Sequence, residues 1–168
     1  MIESTDDTIW EAIRREVAEQ VRQEPMLASF LYVCVLNHST LEDALSYLLA
    51  YKLGSETLPS VSLRELIDEA FQNDPSIGRA IREDLQAVRT RDPACRVYST
   101  PLLYFKGFHG IQAHRVAHYY WKRDRISLAL FLQSRVSEVF GMDIHPAARL
   151  GKGILVDHAT GLVLSLIH

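Results

Sequence analysis

DIHPAARLGKGILVDHATG, Asp143 to Gly161, carries the decisive spacing of this 168-residue chain. Aliphatic residues recur at every sixth position: Ile144, Leu150, Val156 and then Leu162. A helix repeats about every 3.6 residues and a simple strand about every 2, so neither absorbs this beat. It fits a parallel β-helix built of hexapeptide repeats, in which each hexad makes one flat face and turns its aliphatic residue into a shared core. Gly151 and Gly161 lie near where corners must turn. Spacing alone leaves an ordinary strand open, because short apolar runs are ambiguous.

The residues around the aliphatics narrow the choice. DIHPAA and GKGILVDHATG closely resemble the start of the catalytic β-helix of bacterial serine O-acetyltransferases. EPMLASF (Glu24–Phe30), LEDALSYLLAYKL (Leu41–Leu53), QAVRTRDPA (Gln86–Ala94) and YSTPLLYFKGFHGIQAHRVAH (Tyr98–His118) are similar to that family's amino-terminal helical domain. The likeness runs from about Glu24 to about Val163. It implies a mainly α chain: an all-helical amino-terminal oligomerisation domain, 1–140, followed by the first coil or so of a left-handed parallel β-helix, 141–168.

Composition bounds the remaining options. Apolar content of 48% and charged content of 23% are ordinary for a globular protein. A net charge of -3, without a basic stripe, argues against nucleic-acid binding. No apolar run approaches the ~18 residues of a membrane span. MIESTDDTIW has no basic stretch ahead of an apolar core, so no secretory signal is expected. Two cysteines make no disulfide framework and point to a reducing, cytoplasmic compartment. Cys34, in an apolar run, is expected in the core, and Cys95, after Pro93-Ala94, at the surface.

Periodicity places the helices. Ile9, Ile13, Val17 and Val21 mark an amphipathic helix over about Asp6–Gln23, with Ser4, Thr5 and Asp6 as candidate caps. Pro25 ends it and opens Met26–Leu36, so apolar that burial on most sides is expected. Thr40 to Asp43 resembles a capping box, and Ser62 to Glu65 matches one. Asp74-Pro75 starts a helix whose buried stripe is Ile77, Ile81, Leu85 and Val88. Asp92-Pro93 and Ser99-Thr100-Pro101 read as breaks. A long helix is then expected from Leu102 to about Arg123, and a last one through Leu128–Val139, closed by Phe140-Gly141.

The chemistry the resemblance implies is acetyl transfer from acetyl-CoA, a co-substrate, to the hydroxyl of L-serine. The product, O-acetylserine, feeds cysteine biosynthesis. No tightly bound cofactor and no metal are implied. Such a transfer needs a base for the hydroxyl proton, a group orienting that base, and a fixed substrate. His158 is the implied base and Asp143 its orienting carboxylate. With three hexads per coil, 18 residues, position 143 is expected beneath 161, three residues from 158. Asp92 and Asp157 match the family's carboxylates for serine, and for cysteine, which inhibits at the same place. Asp92 taken alone is a turn residue before proline.

His114 and His118 stand four apart, a spacing open to a metal, but no third ligand is evident and packing is the expected role. His145 is expected to shape the turn into the β-helix. Lys106, Arg115 and the 122–125 cluster are expected on solvated faces or at subunit contacts.

After Gly161 the chain departs from the family pattern. It reads Leu162-Val-Leu-Ser-Leu-Ile-His168, where a glycine-containing hexad and further coils are expected. The implied reading is a carboxy-terminally truncated chain. It would lack the acetyl-CoA groove, the arginine and histidine that grip serine's carboxylate, and the tail that docks on O-acetylserine sulfhydrylase. Hexamers form in the family through the helical domain and the β-helix. Two alternatives follow: an enzyme by descent, with low or no activity, or a non-catalytic oligomerisation module. In either, Leu162, Val163, Leu164, Leu166 and Ile167 are expected to be exposed or paired with another chain.

Overall fold

The structure, a computed structural model, describes residues 7–166. The candidate caps Ser4, Thr5 and Asp6, and Ile167, lie outside the described residues. Helix α1 (Thr8–Gln23) is capped by Asp7, whose carboxylate accepts the Trp10 N–H at 3.2 Å. It buries Ile13 and Val17 of the expected stripe, with Ile9 and Val21 partly buried and Trp10 buried beside them. The next stretch passes from a 3-10 turn (Pro25–Leu27) through one α turn, α2 (Ala28–Leu31), to a π turn (Tyr32–Leu36). Burial on most sides is not what it shows. Leu31, Cys34 and Val35 point inward, but Met26 is 88% exposed and Phe30, Tyr32 and Val33 are also open. Uniform hydrophobicity cannot say which face is covered within one chain.

Helix α3 (Leu41–Leu53) starts at Thr40, whose hydroxyl accepts the Asp43 N–H at 3.1 Å. The reciprocal half of the capping box is absent, because the Asp43 carboxylate turns to His38 and Arg64. Helix α4 (Ser60–Asn73) begins two residues before the predicted Ser62 cap. Pro59 at the N-cap has already set the chain there, so Ser62 falls inside the helix. Helix α5 (Pro75–Arg91) starts as expected, with Asp74 accepting the Ser76 N–H at 3.2 Å and Ile77, Ile81, Leu85 and Val88 buried.

The expected break at Ser99–Pro101 is instead a helix, α6 (Ser99–Tyr104), with Pro101 in its first turn. Proline is tolerated there, where its missing N–H would find no partner anyway. The real interruption is Phe105, with extended backbone at φ -90° and ψ 107°. Helix α7 (Lys106–Trp121) follows, and every residue from Gly107 to Ala117 is buried. It is the central helix, and α8 (Ile126–Phe140) packs along it. Cys95, expected at the surface, is 4% exposed and free, as is buried Cys34.

Gly141 ends α8 in the left-handed conformation, φ 67°. Strand β1 (Met142–Ile144) pairs in parallel with β2 (Leu162–Leu164). Met142 and Ile144 are buried and Asp143 faces outward between them. Parallel pairing across one connection is the start of a coil, as the period of six predicts. Its length differs from the expected 18 residues: the register pairs Met142 with Leu162 and Asp143 with Val163, a step of 20. Two successive non-glycine residues at the last corner, His158 and Ala159, take left-handed φ angles of 57° and 62°. Gly153 and Gly161 make left-handed turns, but Gly151 does not. Val163, Leu164 and Leu166 are exposed, as anticipated.

The connection between the strands lies against α5 and α7. His114 donates from Nε2 to the Ala148 carbonyl at 3.0 Å and His118 from Nδ1 to the Pro146 carbonyl at 2.7 Å. The pair thus has a hydrogen-bonding role in the packing of the coil. The His145 ring accepts the Ala147 N–H at 3.1 Å, shaping the turn, and meets Trp121 edge-on. Arg115 is not on a solvated face. It is buried against Asp84 at 2.6 Å, and the same carboxylate accepts from Gln112 and from the Ile154 N–H, both at 2.8 Å. In the 122–125 cluster, Arg123 and Arg125 lie over the Tyr119 and Tyr120 rings, and Lys122 and Arg125 approach Asp74 and Glu69.

Candidate active site

Three segments meet in a cleft of about 470 Å³: the end of α5, the α6–α7 junction and the last corner of the coil. Asp92 comes from the first, Tyr104 to Gly107 from the second, and Val156, Asp157 and His158 from the third. Asp92 is the C-cap of α5, and its Oδ1 accepts the Ala94 N–H at 2.8 Å. The turn that Pro93 predicts is therefore what aims this carboxylate. Asp157 and His158 stand out from the corner, with the His158 side chain 91% exposed and its Nε2 3.6 Å from the Asp157 carboxylate. Ala159, next in sequence, is buried and anchors the corner from within. Its N–H donates to the Asp157 carbonyl at 2.6 Å.

Asp143 is not in this cleft. Its Oδ1 accepts from Gln133 of α8 at 2.7 Å, and it lines a separate depression with Ser134, Ser137 and Glu138. The hydrogen bond implied between His158 and Asp143 is not formed in this structure. The 20-residue step places Asp143 beneath Val163, five residues beyond His158 rather than the three expected. So Asp92, Asp157 and His158 converge and Asp143 stands apart.

Sequence reasoning put Lys106 on a solvated face or at a subunit contact, and passed over Arg91 and Lys152 as anchors of the coil. Lys106 donates to the Thr160 hydroxyl at 2.5 Å. Arg91 donates to the Gly153 carbonyl at 2.8 Å, and Lys152 pairs with Glu83 at 2.6 Å. Asp84 had left a signal: an acid inside the Ile77–Ile81–Leu85 stripe of α5. No group of three or more His, Cys, Asp or Glu able to hold a metal occurs among the described residues. The cleft presents two carboxylates and one imidazole, with the Lys106 ammonium at its wall, an arrangement fit to receive a small polar substrate and to move a proton.

Comparison with known proteins follows the same line. The family described as serine acetyltransferase, N-terminal, matches residues 9–113. The serine acetyltransferase of Haemophilus influenzae is 54% identical over 156 residues, covering 93% of this chain and 58% of its own length. A serine acetyltransferase solved in complex with CoA superposes with a TM-score of 0.93 at 54% identity, over 94% of this chain and 67% of that one. Another, in complex with cysteine, gives 0.91 at 54% identity, over 93% and 61%. The fold is thus that of a helical platform carrying the first coil of a parallel β-helix. The chain belongs to the serine acetyltransferase amino-terminal family, and spans somewhat over half the length of the curated relatives it matches.

Proposed function

We propose that this chain serves the transfer of an acetyl group from acetyl-CoA to the hydroxyl of L-serine. The convergence of Asp92, Asp157 and His158 on one cleft carries the reading. Serine's ammonium would lie between the two carboxylates, leaving its hydroxyl toward His158. The neutral imidazole takes the hydroxyl proton as the oxygen attacks the thioester carbonyl, and returns it to the departing thiolate. Asp143 is the proposed orienting carboxylate, with Gln133 on its Oδ1. We divide the chain at about residue 140, the helices before it serving assembly and the coil after it carrying the chemistry. Two free, buried thiols suit a reducing, cytoplasmic setting. The test is thiol release from acetyl-CoA in the presence of serine. His158→Ala should lower the rate by about 10²–10⁴; a folded variant with undiminished turnover ends the assignment.

A second reading is favoured by the exposure of Met26, Phe30, Tyr32 and Val33 along one segment, where Tyr104 stacks on Phe30 at 6.3 Å. There the chain is an assembly module, with hexamers of the family's kind and no turnover of its own. Absence of thiol release, together with stable oligomers, would select this second reading.

A further inference from the structure

The first turn of α7 grips the corner that carries Asp157 and His158 at both ends. At one end is Gly107. A Cβ there would lie 2.2 Å from the Val156 carbonyl oxygen and 3.3 Å from the Ala159 Cβ. The nearer atom is backbone, so it cannot rotate away as a flexible side chain would. Glycine alone lets the helix come this close. At the other end, Lys106 reaches past the corner to the Thr160 hydroxyl at 2.5 Å. Between these contacts His158 and Ala159 stand side by side in the left-handed region. Two consecutive non-glycine residues there persist only where the surroundings over-determine them. The Ala159 side chain is buried beneath the helix start, so the packing that fixes its φ is the packing Gly107 makes possible.

We infer that Lys106 and Gly107 are positioning residues, which hold the Val156–Thr160 corner in the left-handed form that presents Asp157 and His158 to the cleft. Gly107 acts by the space it leaves and Lys106 by tethering the far side. An exposed hydrogen bond holds less firmly than a backbone fitted against a helix, so Gly107 bears the greater share. The inference deepens the proposed serine site and rests on it only for the ligand readout.

The test uses the 168-residue chain, isotopically labelled, and the variants Gly107→Ala, Lys106→Met and Lys106→Arg. Backbone chemical shifts of His158 and Ala159 report the left-handed conformation, and an L-serine titration reports the cleft. In Gly107→Ala the left-handed signature disappears, and half-saturation of the Asp92 and Asp157 shifts needs on the order of tenfold more serine. Lys106→Met weakens the signature in part, and Lys106→Arg restores it. Folded Gly107→Ala and Lys106→Met chains with His158 and Ala159 shifts unchanged would overturn the inference. If the parent chain ignores serine while the variants still lose the left-handed shifts, the positioning role stands and the serine assignment falls.

Discussion

The carboxylate of Asp84 and the guanidinium of Arg115 meet at 2.6 Å in the interior, with Asp84 only 1% exposed. The second oxygen of Asp84 takes the N–H of Ile154, so one buried charge ties α5, α7 and the coil together. A buried pair gains little over a well-packed apolar substitute, but losing one member strands the other. Arg115→Met should therefore destabilise the chain by about 3–5 kcal/mol. Urea unfolding measures it, and amide exchange at Ile154 should quicken as well. A change below about 1 kcal/mol, the scale of an exposed pair, would show that this pair does not tie the three elements together.

Two buried imidazoles set the acid limit of the fold. Burial pushes His109 down to about 4, against the raising effect of its bond to the Leu102 carbonyl. Burial likewise pushes His114 to about 4, with His118, Arg115 and His145 adding repulsion and the Ala148 bond opposing. Nδ1 of His114 is buried with no hydrogen-bond partner, so a proton placed there meets no acceptor. The folded values lie below the unfolded one near 6.5. Above that pH neither state binds the extra proton, and the stability of neutral burial is fully present. Between about 6.5 and 4 the unfolded chain binds it and the folded chain does not, so stability falls as pH falls. Each histidine contributes a slope of up to about 1.4 kcal/mol per pH unit. His114→Gln keeps a donor for Ala148 and should remove about half the slope these two imidazoles supply. Urea midpoints from pH 7 to pH 4.5 decide it; an unaltered slope would mean His114 is protonated in the folded chain.

Gly141 offers a cleaner backbone test than Gly107. Its φ of 67° ends α8, yet a Cβ there would meet nothing closer than 3.8 Å. The cost of Gly141→Ala is thus conformational alone, about 1–2 kcal/mol. Asparagine, which tolerates this region better, should cost less. The Gly141 carbonyl accepts the Gly161 N–H at 3.0 Å, beside the β1–β2 register. Exchange at Gly161 should therefore rise in the alanine variant, and thermal unfolding should give the ranking Gly, Asn, Ala. Equal stability of all three would remove the left-handed cap from the account.

Much of this arrangement was legible where one chemical cause dominates. The stripes of α1 and α5 and the Asp74 cap depend on neighbours within a turn or two, and they appear as spaced. The parallel coil was legible from the beat of six, but its 20-residue step was not. Its last corner carries left-handed residues held by α7, a contact between distant segments. The α6–α7 interruption at Phe105 lacks a proline or glycine of its own, while Pro101 sits harmlessly in a first turn. Asp92, Asp157 and His158 were singled out through resemblance, and their convergence is a tertiary property. The resemblance also paired His158 with Asp143, whereas here Gln133 holds that carboxylate. Lys106 was legible only as a cation and Gly107 as a helix glycine that permits close packing; what lies opposite each is a tertiary property.

The face left open by Met26, Phe30, Tyr32 and Val33 sets the last expectation. These side chains follow one another along the 3-10, α and π turns, and Phe30 continues onto Tyr104 of α6. Large apolar groups left open along one short segment are costly to leave in water and mark a contact with another molecule. If that molecule is a second copy, Phe30→Asp places a charge in the middle of the contact, where burial without a partner is unfavourable. Phe30 is 38% exposed in the single chain, so the fold itself should tolerate the change. Light scattering should then show smaller assemblies, with unfolding of the isolated chain shifted by no more than about 1 kcal/mol. Assemblies of unchanged mass in the Phe30→Asp protein would place the contact elsewhere, with the exposed end of the coil at Val163 and Leu166 as the surface to test next.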